Sequence, residues 1–470
     1  MYKKIIDLIQ KNLSLLLLSP IILNFFMKLI LGEVVLLNYY QQNKIVVLML
    51  ITNSIFFTYL SYQINSSLKL NSLSLSLVYF LSSFFIVDFL LLIVFKNVLF
   101  KYIVIIVYLL WAVLLSFLKK NKIVFLKVTL LFAVNNYINQ KFYKTLTNVG
   151  NYQELNTDVP LQWFKLADLI SSNNYYFALS NNVIEGQTLF ISYIQALIFN
   201  LNFYLYDFEF IRINANIVLV FITMLVCDLK ISNRNKIIAC LALFSIILNS
   251  DWLTYLFIDS LMLEGIVSFI FATFLLNLKQ HTNQKFRPMS LIFFIFFSSL
   301  LFTKQFVSLL TIFLFVYIFL KYKNVNSMVI PIFYSIDFFY KKYVILESGQ
   351  FELIKGTSIS ELVTNLFLFR NLEISNISKI INQLLIDRPV SYLLLLFIIL
   401  NVFRLTKNSK DEELNLIFTL VIINFVLIFV LYVAWWQDFG IQSSFRYILN
   451  LFNLFYLSTI IHLDSTEKNI

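Results

Sequence analysis

The sequence predicts an all-α fold: a polytopic transmembrane helical protein of about 14 membrane helices, with interfacial helices in its first large external loop. Three observations carry that reading. Apolar residues make up 60% of the chain and charged residues 13%, where a soluble domain carries roughly 25% charged. Mean hydropathy is +0.82. Uncharged Leu/Ile/Phe runs recur from end to end, and only seven Gly and five Pro interrupt them, which leaves no low-complexity linker and no soluble domain.

Lys3 and Lys4 place the amino terminus in the cytoplasm, ahead of an apolar run at about 13–32 that is long enough to span. Spans at about 45–61, 75–95 and 101–118 follow, and the last runs into the cytoplasmic cluster Lys119-Lys120-Asn121-Lys122. These four helices form an N-terminal block, 1–122, ahead of a second region, 123–470. Lys28 and Asp88 fall inside spans. An intramembrane charge is costly and marks a functional candidate, although Lys28 can snorkel and Asp88 can serve a helix contact.

A fifth span, about 123–137, leads into an external loop at about 138–211. Against Lys141, Lys144 and Lys165 the loop sets Glu154, Asp158, Asp168, Glu185, Asp207 and Glu209, an acidic balance that suits the extracytoplasmic face. Within it, 161–170 reads as a short amphipathic helix started by the Asp158-Val159-Pro160 turn. The apolar stretch 188–202 is too short for a confident span and reads as interfacial or re-entrant. Positive-inside counting supports that choice. Spans near 211–228, 237–250, 256–277, 289–303, 305–320 and 327–340 then alternate so that Lys230/Arg234/Lys236, Lys279/Lys285/Arg287 and Lys321/Lys323 are all cytoplasmic. A second external loop, about 341–388, precedes spans near 389–404, 414–433 and 446–462, with Arg404, Lys407 and Lys410 inside and both termini cytoplasmic.

This distribution also accounts for the net charge of +11: the lysines sit in cytoplasmic loops, where they report orientation, and no nucleic-acid partner is expected. Two cysteines, Cys227 and Cys240, give no disulfide framework or thiolate metal site. His281 and His462 fall at or near cytoplasmic ends, so acid–base chemistry on the outer face must use carboxylates.

The external helix mouths hold the remaining candidates. Asp259 could orient an acceptor, hold a divalent cation or pair with a basic neighbour. Lys304 suits a phosphate as a point charge, or snorkels at the interface. Trp435 and Trp436 are ordinary interface anchors. Arg446, beside Tyr447, starts a helix on the face the orientation rule disfavours for arginine, which binding of a phosphate or an acid would explain. Arg212 either pairs with Asp207 and Glu209 or binds phosphate. Three cations around one acidic loop point to a phosphorylated, amphiphilic ligand, with Asp158 as the catalytic group.

This order resembles the GT-C superfamily of membrane glycosyltransferases, relatives of protein O-mannosyltransferases and lipid A aminoarabinose transferases. The matching positions are Asp158 in the early external loop, the segments 161–170 and 188–202, Arg212, Asp259, Lys304 in its Leu300-Leu301-Phe302-Thr303 context, and Arg446-Tyr447. The likeness covers about 123–462. It departs in having about four helices before the first loop, where the family usually has one, and Thr157-Asp158 where a paired Asp-Glu is common. The resemblance implies transfer of a sugar from a polyprenyl-phosphate donor to a hydroxyl on a lipid, glycan or protein acceptor, with inversion, in a bacterial inner membrane. A divalent cation is left open, and a flippase for lipid-linked saccharides or an O-antigen polymerase/ligase-like enzyme is the alternative.

Overall fold

In a computed structural model of the chain, residues 2–33, 44–94, 100–146, 217–249, 264–282, 288–302, 305–340, 364, 367–368, 374–385, 389–406, 411–434, 448–449 and 451–468 are described. Among them the regular structure is helical throughout. The helices are α1 (Tyr2–Lys11), α2 (Leu13–Ile30), α3 (Lys44–Leu68), α4 (Leu73–Val94), α5 (Phe100–Leu118), α6 (Lys122–Leu146), α7 (Ile217–Asp228), α8 (Asn233–Asn249), α9 (Glu264–Thr282), α10 (Pro288–Ser298), α11 (Gln305–Tyr322), α12 (Val329–Tyr340), α13 (Ile374–Leu385), α14 (Pro389–Thr406), α15 (Glu412–Ala434) and α16 (Phe452–Lys468). Single 3₁₀ turns at Ser299–Phe302 and Val325–Met328 adjoin α10 and α12.

Every segment read as a span overlaps one of these helices, from α2 to α12 and from α14 to α16. Two, at Leu13–Ile30 and Glu412–Phe429, are long and apolar enough by themselves to cross a membrane, and the α3–α4 pair adds a third if its 100° bend is one broken span. The apolar stretches Tyr102–Leu118, Pro288–Leu301, Leu309–Tyr322, Val325–Ile336 and Ser391–Thr406 are shorter. Several boundaries differ from the sequence reading. α6 runs on to Leu146, past the expected exit at about 137, because no Gly or Pro interrupts the chain before Gly150. α16 continues to Lys468. Lys28 lies in the last turn of α2, where a cation suits the helix dipole, and not deep within a span. α1 and α13 are additional, short and strongly amphipathic.

The chain divides into two compact units, residues 43–221 with 257–356, and residues 1–42 with 222–256 and 357–470. In the first unit the core is aromatic. The Tyr108 ring of α5 lies 4.0 Å from Phe132 of α6, 5.4 Å from Phe80 and 5.8 Å from Phe84 of α4, and 5.9 Å from Phe56 of α3. Phe57 continues the cluster to Phe221 at 5.6 Å, which in turn meets Phe269 of α9 at 5.3 Å. Such offset and edge contacts stabilise beyond the area they bury, which matters where lipid is as apolar as the core. Small and amide side chains join the helices: Asn135 Nδ2 donates to Asn53 Oδ1 (2.9 Å), and Trp111 Nε1 to Ser83 Oγ (2.9 Å).

The turns at one end of this unit are closed by a second set of polar contacts. Lys69 and Asn71, both at positive φ, turn the chain from α3 into α4, and Ser72 caps α4 by accepting from Leu75 N–H (3.1 Å). Asn277, near the end of α9, donates to Ser72 Oγ (3.4 Å). Asn324, after α11, donates to the carbonyls of His281 (3.3 Å) and Thr282 (3.1 Å), while Lys119, after α5, donates to Gln63 near the end of α3. Thus the turns at 69–72, 119–122 and 322–325 and the end of α9 at Thr282 share one end of the unit.

Candidate functional site

In the second unit, α2, α8 and α16 meet in a cluster of charged and amide side chains. Glu467 Oε1 accepts from the N–H (2.9 Å) and hydroxyl (2.6 Å) of Ser14 at the start of α2. Its Oε2 accepts from Arg234 Nη2 (2.6 Å) and Asn235 Nδ2 (2.8 Å) at the start of α8. Asp464, one turn earlier on α16, accepts from Asn235 Nδ2 (2.8 Å) and from the Ser232 N–H (3.0 Å). Arg234 Nη1 then reaches back to the Lys11 carbonyl (2.8 Å) and Asn12 Oδ1 (3.2 Å).

The physical logic is capping in trans. The first N–H groups of a helix have no partner within it and carry partial positive charge, so a carboxylate there is favourable. At the C-terminal end of its own helix the same carboxylate is disfavoured. Asp464 and Glu467 resolve this by serving the amino ends of α2 and α8, which both start where α16 ends. Burial pushes the Glu467 carboxyl up, but the hydrogen bonds from Asn235 and Ser14 and the charge of Arg234 outweigh it and hold the pKa below the ordinary value. Glu467 lies beyond the span expected at 446–462. A carboxylate with four donors is held ionised and is a poor base. This cluster is a structural clamp.

No protein-family model, curated protein or solved structure matches the chain.

The six residues that the sequence points to, Asp158, Arg212, Asp259, Lys304, Arg446 and Tyr447, lie outside the described residues, as do the segments 161–170 and 188–202 and most of the loops 138–211 and 341–388. The structure does fix the helices that lead to and from them. α6 starts at the end of the first unit where Lys119 meets Gln63, and Asn135 meets Asn53 further along an antiparallel course, so Leu146 leaves at the opposite end. α9 and α11, which follow Asp259 and Lys304, both finish at the Ser72/Asn277/Asn324 end, so both begin away from it. In the second unit α16, which follows Arg446, finishes at the clamp and begins away from it. α7, which follows Arg212, runs toward Cys227, whose carbonyl accepts from Lys236 Nζ (2.6 Å) beside the clamp.

Among the described residues no group of three His, Cys, Asp or Glu is placed to hold a metal ion. His281 is buried, stacked on Phe293 (4.3 Å between centroids, 9° between planes), and burial lowers its pKa to about 4, so it is a neutral core ring. The clamp residues escaped the sequence reading, which took 233–236 as a loop and ended the last helix near 462. The signal was present in Asp464 and Glu467, spaced by three on a helix end, and in Asn233-Arg234-Asn235 ahead of an apolar run.

Proposed function

We propose that the chain is an integral membrane glycosyltransferase that moves a sugar from a polyprenyl-phosphate-linked donor to a hydroxyl acceptor on the extracytoplasmic face, with inversion at the anomeric carbon. The observation that supports this most is the parity of the helix ends. Ser14 and Asn235 meet at 2.9 Å, and Ser72 and Asn277 at 3.4 Å, which supports an even number of crossings in each interval. The spans 75–95, 101–118, 123–137 and 211–228 are common to both intervals, 13–32 and 45–61 bring the first to six and 237–250 and 256–277 the second, and adding 188–202 would make each odd. The basic turns then fall on the cytoplasmic side, and 147–216, with Asp158, follows a helix leaving on the other.

In this reading Asp158 takes the proton of the acceptor hydroxyl, worth about 10²–10⁴-fold. The oxygen attacks the anomeric carbon from the face opposite the leaving group, the bond from that carbon to the phosphate oxygen breaks, and its electron pair leaves with polyprenyl phosphate. Lys304, Arg212 and Arg446 stabilise the charge growing on that phosphate, so no proton donor is needed there. Asp259 orients the acceptor, and Tyr447 flanks the donor beside Arg446. The test is turnover in vesicles of purified protein with a polyprenyl-phosphate sugar and a defined acceptor, with and without a chelator. Asp158→Asn should lose at least 10²-fold in kcat. Full activity in that variant, or movement of donor across the bilayer without transfer, overturns the assignment.

A further inference from the structure

The helix ahead of the first span is a strongly amphipathic element whose apolar side the fold leaves open. Along α1, Tyr2, Ile5, Ile6, Leu8 and Ile9 fall on one side at helical spacing, and Lys3, Lys4, Asp7, Gln10 and Lys11 on the other. Although α1 adjoins α2, Ile5, Leu8 and Ile9 stay 46%, 64% and 47% exposed. Ten residues are too few to cross a bilayer. Only Asn12 separates α1 from α2, which is long and apolar enough to cross, so α1 sits where that crossing begins. Arg234 fixes the joint through Lys11 and Asn12, and Lys230 and Lys236 lie in the same turn region.

We propose that α1 is an interfacial anchor: its Ile5/Leu8/Ile9 side enters the headgroup–acyl boundary of the leaflet where α2 starts, and its lysines bind anionic lipid headgroups. Apolar insertion and attraction of basic residues to anionic lipid are the two contributions such helices combine. The occupant is the lipid surface, because a face that continues directly from a membrane helix and is flanked by Lys3, Lys4 and Lys11 matches it in both polarity and charge. This proposal is independent of the glycosyltransferase reading.

The test uses the full chain with Cys227 and Cys240 replaced by serine, reconstituted in phosphatidylcholine vesicles with and without phosphatidylglycerol. Single cysteines at Ile5, Leu8, Ile9, Lys4, Asp7 and Lys11 carry a nitroxide label. With phosphatidylglycerol present, labels at 5, 8 and 9 should collide with oxygen more than with a water-soluble nickel chelate, and labels at 4, 7 and 11 the reverse. Lys3→Gln and Lys4→Gln should each shift the ratio of inserted to free label about fivefold toward free. Nickel access at all six positions would place the helix in water and overturn the proposal. So would shielding of 5, 8 and 9 from both reagents, or insertion that ignores lipid charge.

Discussion

Glu467 holds Ser14 by both its backbone N–H and its hydroxyl, across a sequence separation of 453 residues. The bond is a helix cap supplied from another helix, and its energetic role follows from what loses a partner when it is removed. Glu467→Ala strips the first turn of α2 of its acceptor, leaves Asn235 with Asp464 alone as the acceptor for its amide, and leaves Arg234 with the Lys11 carbonyl and Asn12. Arg234 is half exposed and regains water, so the cost should be about 2 kcal/mol, not the larger figure for a buried unpaired charge. Glu467→Gln should cost about half as much, since one oxygen remains. Thermal unfolding of the detergent-solubilised chain measures both.

Asn235→Ala should cost at least as much as Glu467→Ala, because Asp464, which is buried, and Glu467, whose side chain is 8% exposed, both then lose a donor. A double-mutant cycle between Asn235 and Glu467 should show a coupling of about 1 kcal/mol or more. A value near zero would mean the clamp does not act as a unit.

Acid should destabilise the fold in two steps. Burial depresses the folded-state pKa of His281 to about 4, while the unfolded ring titrates near 6.5, so between those values the unfolded state takes up a proton that the folded state refuses. Stability therefore falls as pH drops from about 6.5 to about 4. Glu467 acts lower: its folded pKa is depressed, so its contribution is complete above the unfolded carboxyl value near 4.3 and is lost as pH falls through the folded one. His281→Phe should flatten the upper step and keep the stacking on Phe293, leaving the lower step in place. Melting temperature against pH separates the two.

The crossing parity can be read with an impermeant thiol reagent. In a background without Cys227 and Cys240, cysteines at Lys120 and Lys285 should label only after the membrane is opened from the cytoplasmic side, and one at Glu154 should label from outside. Labelling of 120 and 154 from the same side would break the topology on which the role of Asp158 depends.

The helices were legible because hydropathy is a local property: the run read at 13–32 is α2, and 101–118 is α5 almost residue for residue. What failed was local only in part. α1 and α13 were missed because short amphipathic segments do not raise a span-length hydropathy window, and α6 was ended early because polar residues at 138–144 were read as loop although nothing there breaks a helix. The clamp was illegible for a different reason. Spacing along the chain constrains neighbours a few residues apart, and Ser14, Asn235 and Glu467 are brought together by the packing of α2, α8 and α16. Of the candidate site, the order of carboxylate and cations along the chain was legible, and the structure adds the direction in which each neighbouring helix runs.

The tie between Ser14 and Glu467 also has a meaning for biogenesis. Chains are made from the amino end, so α2, which is long and apolar enough to cross a membrane, is made long before its cap exists. The N–H groups at the start of α2 and α8 stay open to solvent or to other partners until the end of α16 has been made and has packed beside them. A ribosome that stops before Asp464 leaves both helix starts uncapped, however many segments have been inserted. Synthesis of the end of α16 and closure of this end of the unit are therefore one event.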